Sequence, residues 1–365
     1  MKIMHLEAST GWGGQEIRTL SESKGMRKRG HEIFFCVERG AKLGKRAREE
    51  GFVVHEVGFN KISWPLSFFQ LLYFFVRYRI DLVNTHSSLD AWLGGMAARF
   101  IKRSIIRTRH LSTAIRKGWN SRLLYQHLAD FVVTTCAKVV PMVCQQSGKS
   151  PLFCKSIPTG MDPDTVLFPE KDSLSFREKI GVAPQDFLVG TVCMVRSWKG
   201  IEDFLQAAHL LRNEKTIRWV IIGGGHLESY QKKAHQMRLD SLVTFTGHLD
   251  LPFAAIAALD VFVLLSTNHE GVSQASLQAA YLKKPLITTP TGGLKEVCIP
   301  RITGLQVPVF SPQKVVEAVL ELQKSPELCR KLGRNAKEHV EKNFMFQQML
   351  DQMEAIYYKL CPSKK

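Results

Sequence analysis

The chain has 365 residues, too long for one ordinary hydrophobic core, so two domains are expected. Hydrophobic residues make up 45% and charged residues 23%, a globular balance, and no run of 18 apolar residues exists to span a bilayer. The net charge of +17 sits mostly in the first half: residues 1–165 hold 25 Lys+Arg against 13 Asp+Glu, and no acidic residue lies between Asp90 and Asp130.

That positive field asks for an anionic partner: an anionic lipid surface, a phosphorylated glycan or nucleic acid. Nucleic acid is set aside, because no basic–aromatic interleaving of a known module is present. Eight cysteines are scattered without any CxxC, which argues for reduced core thiols rather than zinc or a disulfide framework.

In chain order, the opening KIMHLEASTGWGGQE reads as a strand running into a glycine-rich turn rather than as a signal peptide, so a cytoplasmic protein is expected. Further strands are expected at EIFFCVE, FVVHEV, DLVNTH, SIIRTR and DFVVTT, with helices between them, for example over 14–28 and 89–100. The aromatic stretch WPLSFFQLLYFFVRYR (64–79) has two readings: a helix packed on the sheet, or a helix that inserts at a membrane interface. The Pro- and Gly-bearing segment 156–172 reads as the linker. Beyond it, strands are expected at FLVGTVCMV, IRWVIIGG, LVTFTG, VFVLLS and PLITT, and then helices from Pro312 onward. The last of these carries the apolar stripe Phe344, Phe346, Leu350, Met353, Ile356 and Tyr357. Strands alternating with helices make doubly wound parallel sheets, which bind ligands at the C-terminal ends of their strands.

Three glycine-rich turns follow expected strands. Gly11, Gly13 and Gly14 open the first helix, where free backbone N–H groups suit a diphosphate, although the spacing is not that of a dinucleotide fingerprint. Gly223 to Gly225 form the second turn, equally a structural corner or a ligand contact, and Gly292 and Gly293 lead the third. MVRSWKG (194–200) places Arg196 and Lys199 in a strand-to-helix loop, a forked donor and a point charge that fit a diphosphate. In HEGVSQASLQAA (269–280), Gly271 permits close approach and the amides of Val272 and Ser273 lie at a helix start. Like charge keeps Glu270 from phosphate, so its carboxylate wants sugar hydroxyls, and Gln278 is placed to hold a ribose diol.

Taken together, GWGGQE, DLVNTHSSLDAWLG, RTRH, IPTGMD, VCMVRSWKG, IIGGG, VTFTGHL, EGVSQASLQAA and TGGLKEV, in this order, resemble the retaining glycosyltransferases of family 4 over nearly the whole chain. The resemblance implies a GT-B fold, two Rossmann-like domains facing across a cleft. Residues 1–165 would bind the acceptor and 166–343 the nucleotide sugar, with the terminal helix, about 344–365, returning to the first domain. It further implies that Arg196 and Lys199 bind the donor diphosphate, Glu270 the transferred sugar, and His110 of RTRH the sugar and acceptor hydroxyl. Gly13, Gly14, Gly225, Gly271, Val272, Ser273 and Gln278 complete the donor site, with the base near 247–249. Gln278 departs from the family's second motif glutamate, losing a charge but keeping an acceptor oxygen. Glu16 and Asp90 are candidate acceptor contacts.

The implied reaction moves a hexose from a UDP- or GDP-linked donor to a glycan or lipid-linked acceptor, as in lipopolysaccharide-core synthesis, with retention and without a metal or other cofactor. An anionic membrane surface on the cytoplasmic face of the inner membrane is the implied meeting place. Two rivals stand beside it: a catalytically weak donor-binding relative, to which Gln278 lends support, and a nucleotide-sugar epimerase of the same fold.

Overall fold

The computed structural model describes residues 1–166 and 170–362, so part of the expected linker and the last three residues lie outside the described residues. The chain forms two compact units. Unit 1 comprises Met1–Thr159 and Gln347–Lys365, and unit 2 comprises Gly160–Phe346. The division therefore falls at Thr159, ahead of the expected 165/166, because residues 160 and 161 are pinned within unit 2: Met161 N–H donates to Phe344 O at 2.7 Å and Phe346 N–H to Met161 O at 2.9 Å.

Unit 1 holds seven parallel strands: β1 (Lys2–Glu7), β2 (Glu32–Glu38), β3 (Val53–Val57), β4 (Leu82–Thr85), β5 (Ser104–Arg109), β6 (Phe131–Thr134) and β7 (Cys154–Ser156). Their order is β3-β2-β1-β4-β5-β6-β7. The central strands are buried on both faces, and β4 and β6 are buried at every position. Such continuous apolar runs are what a parallel sheet covered by helices requires. Helix Trp64–Arg77 packs on this sheet through Leu71 and Phe75, both fully buried, but leaves Leu66, Phe69, Tyr73 and Val76 exposed at helical spacing. Both readings of that stretch thus keep a physical basis.

Helix Phe346–Leu360 returns to unit 1. Its Tyr357 is fully buried and donates to Glu22 Oε1 at 2.7 Å, while Glu354 meets both Arg29 and His31 at 2.9 Å.

Unit 2 has six parallel strands: β8 (Phe187–Val192), β9 (Ile217–Ile222), β10 (Val243–Gly247), β11 (Val261–Leu264), β12 (Leu286–Thr288) and β13 (Gly304–Gln306), ordered β10-β9-β8-β11-β12-β13. Its core centres on Trp219 and Phe204, which meet edge to face at 4.9 Å. Among the described residues no helix is long and apolar enough to cross a membrane. None of the eight cysteines is in a disulfide.

Candidate functional site

In each sheet the strand order reverses beside the first strand, between β1 and β4 in unit 1 and between β8 and β11 in unit 2. Loops leaving such neighbouring strands diverge to opposite faces and open a crevice at their C-terminal ends.

In unit 2 the loop after β8 carries Arg196 and a single 3-10 turn, Ser197–Lys199, closed by Gly200 at φ +70°. A Cβ on Gly200 would stand 2.1 Å from the Leu265 carbonyl oxygen, so only glycine lets this loop lie against the one after β11. The two are joined by Thr267 N–H donating to Trp198 O at 2.8 Å. The consequence is a direct ion pair: Lys199 Nζ lies 2.8 and 2.7 Å from the two Glu270 oxygens, with the side chains only 16% and 7% exposed. Arg196 is exposed instead, its guanidinium 5.4 Å from the centre of the Trp198 ring.

Glycines join the remaining loops backbone to backbone. A Cβ on Gly293 would lie 2.4 Å from both Gly271 C and Val272 N, and the Gly293 amide donates to Glu270 O at 3.1 Å. Gly223 (φ +141°) and Gly225 (φ +109°) pack against Cys193 O and Val195 O, where a Cβ would come within 1.8 and 2.4 Å. Ser273 caps the helix Gln274–Tyr281, its Oγ accepting from Ser276 N–H at 3.4 Å, and Gln278 sits half-buried one turn on.

Unit 1 answers with buried titratable groups. His86 Nδ1 lies 3.0 Å from His110 Nε2, and His86 Nε2 lies 2.9 Å from His5 Nδ1, a line of three imidazoles from β1 past the ends of β4 and β5. Thr19 Oγ1 donates to Gln15 O at 2.9 Å, so toward His86 Nδ1, 3.4 Å away, it can only accept. One proton is shared between His86 Nδ1 and His110 Nε2, so that one ring donates and the other accepts. Burial pushes His5 down to about 3 and holds His86 and His110 well below the usual histidine range, so all three are neutral at pH 7.

Beside this line, Glu7 accepts from Ser9 N–H (2.8 Å), Gln15 Nε2 and Ser87 Oγ (both 2.5 Å). Burial, with the Asp90 charge adding to it, pushes Glu7 up to about 8. Asp90 itself is held up to about 7 by burial, against amide donors at Ser87 and Ala8.

The segment 172–339 matches the family of group 1 glycosyl transferases, and 12–165 matches glycosyltransferase family 4. The chain belongs to glycosyltransferase family 4. This glycosyltransferase is 26% identical to the O-antigen chain mannosyltransferase C of Escherichia coli, over the full length of both. Its fold matches a glycosyltransferase of Rickettsia africae (TM-score 0.89, 19% identity, 100% and 99% of the two chains). It also matches Anabaena HepE in a complex with UDP-glucose (TM-score 0.86, 19% identity, 99% and 100% covered). Both of its sheets are thus Rossmann-like halves of the GT-B type.

The structure brings Lys199, Glu270, Gly271, Val272 and Ser273 of the glycosyltransferase together, and leaves Arg196 at the rim. Several expectations need correction. The first glycine turn offers fewer free amides than expected: Gly11 N–H donates to Ser9 Oγ at 3.2 Å, and Gly13 N–H to Glu16 Oε2 at 2.8 Å, while Gly14 stands in open space. Glu16 is 5% exposed and acts as the capping acid of its helix. Asp90 is fully buried in the same capping role, both oxygens facing amides. Gly225 is explained by close packing without any ligand. Sequence reasoning missed His5, His86 and Glu7; the histidines and the acid follow or occupy expected strands, but strand order alone brings them side by side.

Proposed function

We propose that this glycosyltransferase moves a hexose from a nucleotide sugar to a glycan or lipid-linked acceptor, with retention of anomeric configuration and without a bound metal. The observation that carries this reading is the Lys199–Glu270 pair at the strand ends of β8 and β11, inside the matched family segment. An ammonium has three donors. Lys199 can therefore keep Glu270 in place while it reaches a donor phosphate oxygen, with Arg196 adding its fork from the rim. Glu270 then holds sugar hydroxyls, Gly271 and the amides of Val272 and Ser273 admit the diphosphate, and Gln278 takes the ribose.

Positive charge fixed before the reaction stabilises the leaving diphosphate, which takes the acceptor hydroxyl's proton as the new bond forms on the same face. His110, held neutral by burial, orients an oxygen in unit 1. The UDP-glucose complex of Anabaena HepE supports a UDP-linked donor, and the name of the Escherichia coli relative supports an envelope glycan as product. The exposed stripe Leu66, Phe69, Tyr73 and Val76, in a unit with net positive charge, supports attachment to the cytoplasmic face of an anionic membrane.

A thermal-shift panel of UDP, GDP, ADP and their sugars, on the wild type and on Lys199→Ala, tests the donor half. One nucleotide should stabilise the wild type and lose its effect in the variant. No shift with any of them sinks the donor reading. Turnover in EDTA, with the anomer read by NMR, tests the rest: an inverted product overturns retention, loss of turnover overturns metal independence, and an epimerised free donor makes the protein an epimerase. Sedimentation with anionic vesicles at low salt, absent or indifferent to lipid charge, removes the membrane.

A further inference from the structure

Unit 1 contains a cavity of about 810 Å³ at the C-terminal ends of β4 and β5. Four cationic residues line it, Arg107, Arg109, Arg116 and Lys117, and no aspartate or glutamate does. A cavity with one sign of charge and poorly solvated walls concentrates ions of the other sign.

The cations are not equivalent. Arg109 is committed to the wall: Nη1 donates to Tyr125 OH at 2.6 Å, Nη2 to Thr113 Oγ1 at 2.8 Å, and Nε to Leu111 O at 3.2 Å. Arg107 is 7% exposed, lies over the Tyr125 ring at 4.7 Å, and donates to Ser87 O at a long 3.3 Å. Its Nε is buried with no partner among the described residues. The Tyr125 hydroxyl also engages Arg107, but a buried guanidinium nitrogen without a partner is costly unless an anion completes it. Asp90 attracts Arg107 and offsets it only in part, because burial holds that carboxyl up to about 7. Arg116 and Lys117 are exposed on the loop above. Trp92 and the 75%-exposed Trp119 add flat apolar faces of the kind that pack on a sugar ring. His110 lines the same space.

We infer that this cavity takes an acceptor whose sugar ring carries a phosphate monoester, anchored by Arg107 and covered by Arg116 and Lys117, with the ring against the indoles. The inference rests on the transferase reading above and adds the acceptor's chemical class. The same phosphate can come from a soluble sugar phosphate or from a phosphorylated lipid headgroup.

Tryptophan fluorescence of the full chain, titrated with glucose and with glucose 6-phosphate in saturating UDP, tests it, with sedimentation on phosphatidic acid and on phosphatidylcholine vesicles as a second arm. The phosphate should tighten binding at least roughly tenfold over glucose. Arg107→Gln should remove that preference, and Arg116→Gln with Lys117→Gln, both on the exposed loop, should weaken it about threefold if Arg107→Gln fails to fold. Stabilisation by UDP should survive in every variant, which separates this inference from the donor reading. Binding of glucose 6-phosphate alone assigns a soluble phosphorylated sugar. Binding of glucose 6-phosphate together with phosphatidic acid vesicles, both lost in Arg107→Gln, assigns a phosphorylated lipid headgroup, whereas binding to the vesicles alone overturns the sugar-bearing acceptor. Equal affinity for glucose and its phosphate, no response to Arg107→Gln, or displacement of the phosphate by UDP overturns the inference.

Discussion

The two units solve the same problem, holding reactive groups at a sheet's switch point, in opposite ways. Unit 2 uses full charges that neutralise one another in advance, Lys199 against Glu270, held by loops that touch through glycine. Unit 1 uses groups whose charge burial opposes: three imidazoles and two carboxyls clustered around the ends of β1, β4 and β5. The difference teaches what each half is prepared for. A charge pair is ready to be partly exchanged for an anionic ligand, whereas a neutral network is ready to orient an oxygen without competing for protons.

The sharpest way to break this comparison is at the pair. Lys199→Ala leaves a 6%-exposed carboxylate unpaired. Truncating one partner of a buried pair costs about 3–5 kcal/mol, and losing a preorganised cation costs roughly 10²–10³ in turnover. Urea unfolding and initial rates measure both, and Lys199→Met with Glu270→Gln should recover most of the stability but no activity. Next is Gly293→Ala. Its Cβ would press on the Gly271–Val272 backbone at 2.4 Å, so the melting point should drop by an amount equal to roughly 3 kcal/mol, and nucleotide stabilisation should weaken with it.

In unit 1, His86→Ala should release His110 from its tautomer. Turnover should fall about tenfold with little change in KM, and the ¹⁵N shifts of His110 should move toward a mixed tautomer. A variant whose melting point alone changes would reduce His86 to packing.

The carboxyls of that cluster also set a pH trend. Glu7 and Asp90 hold protons in the folded state up to about 8 and 7, whereas unfolded carboxyls release them near their ordinary values. The folded state thus binds more protons across that window, so stability is greatest at the acid end and is lost as pH rises toward 8, by up to about 1.4 kcal/mol per pH unit for each group. Glu7→Gln should flatten the slope between pH 5.5 and 8 in urea titrations. The smallest effect is expected at Gln278→Glu, where a restored charge should tighten the nucleotide sugar by about tenfold or less in calorimetry.

Much of this architecture was legible in the sequence, because parallel strands buried on both faces are written as uninterrupted apolar runs. EIFFCVE and SIIRTR end where the strands do. The short strands β7 and β13 were missed, since CKS and GLQ carry no apolar run, whereas the equally short β12 lies within the apolar PLITT. Of the site, the residues that bring charge to loops, Lys199 and Glu270, could be named, but not their direct contact. That contact follows from β8 lying beside β11, which brings together residues 71 positions apart that no local pattern connects. The capping roles of Glu16 and Asp90 were readable as acids in a first helical turn, yet a first-turn acid and a ligand contact look alike until burial is known. The histidine line depends wholly on strand order.

Helix Phe346–Leu360 has a consequence for the birth of the protein. Its Tyr357 closes onto Glu22, 335 positions earlier, so unit 1 begins before unit 2 in synthesis and is finished after it. Unit 2, whose residues are contiguous, has all its strands available before that helix exists. Until the final turn arrives, the apolar surface meant for Met349, Leu350 and Met353 stands open on the nascent chain. Early termination near residue 346 would therefore leave a finished unit 2 tethered to an unfinished, sticky unit 1.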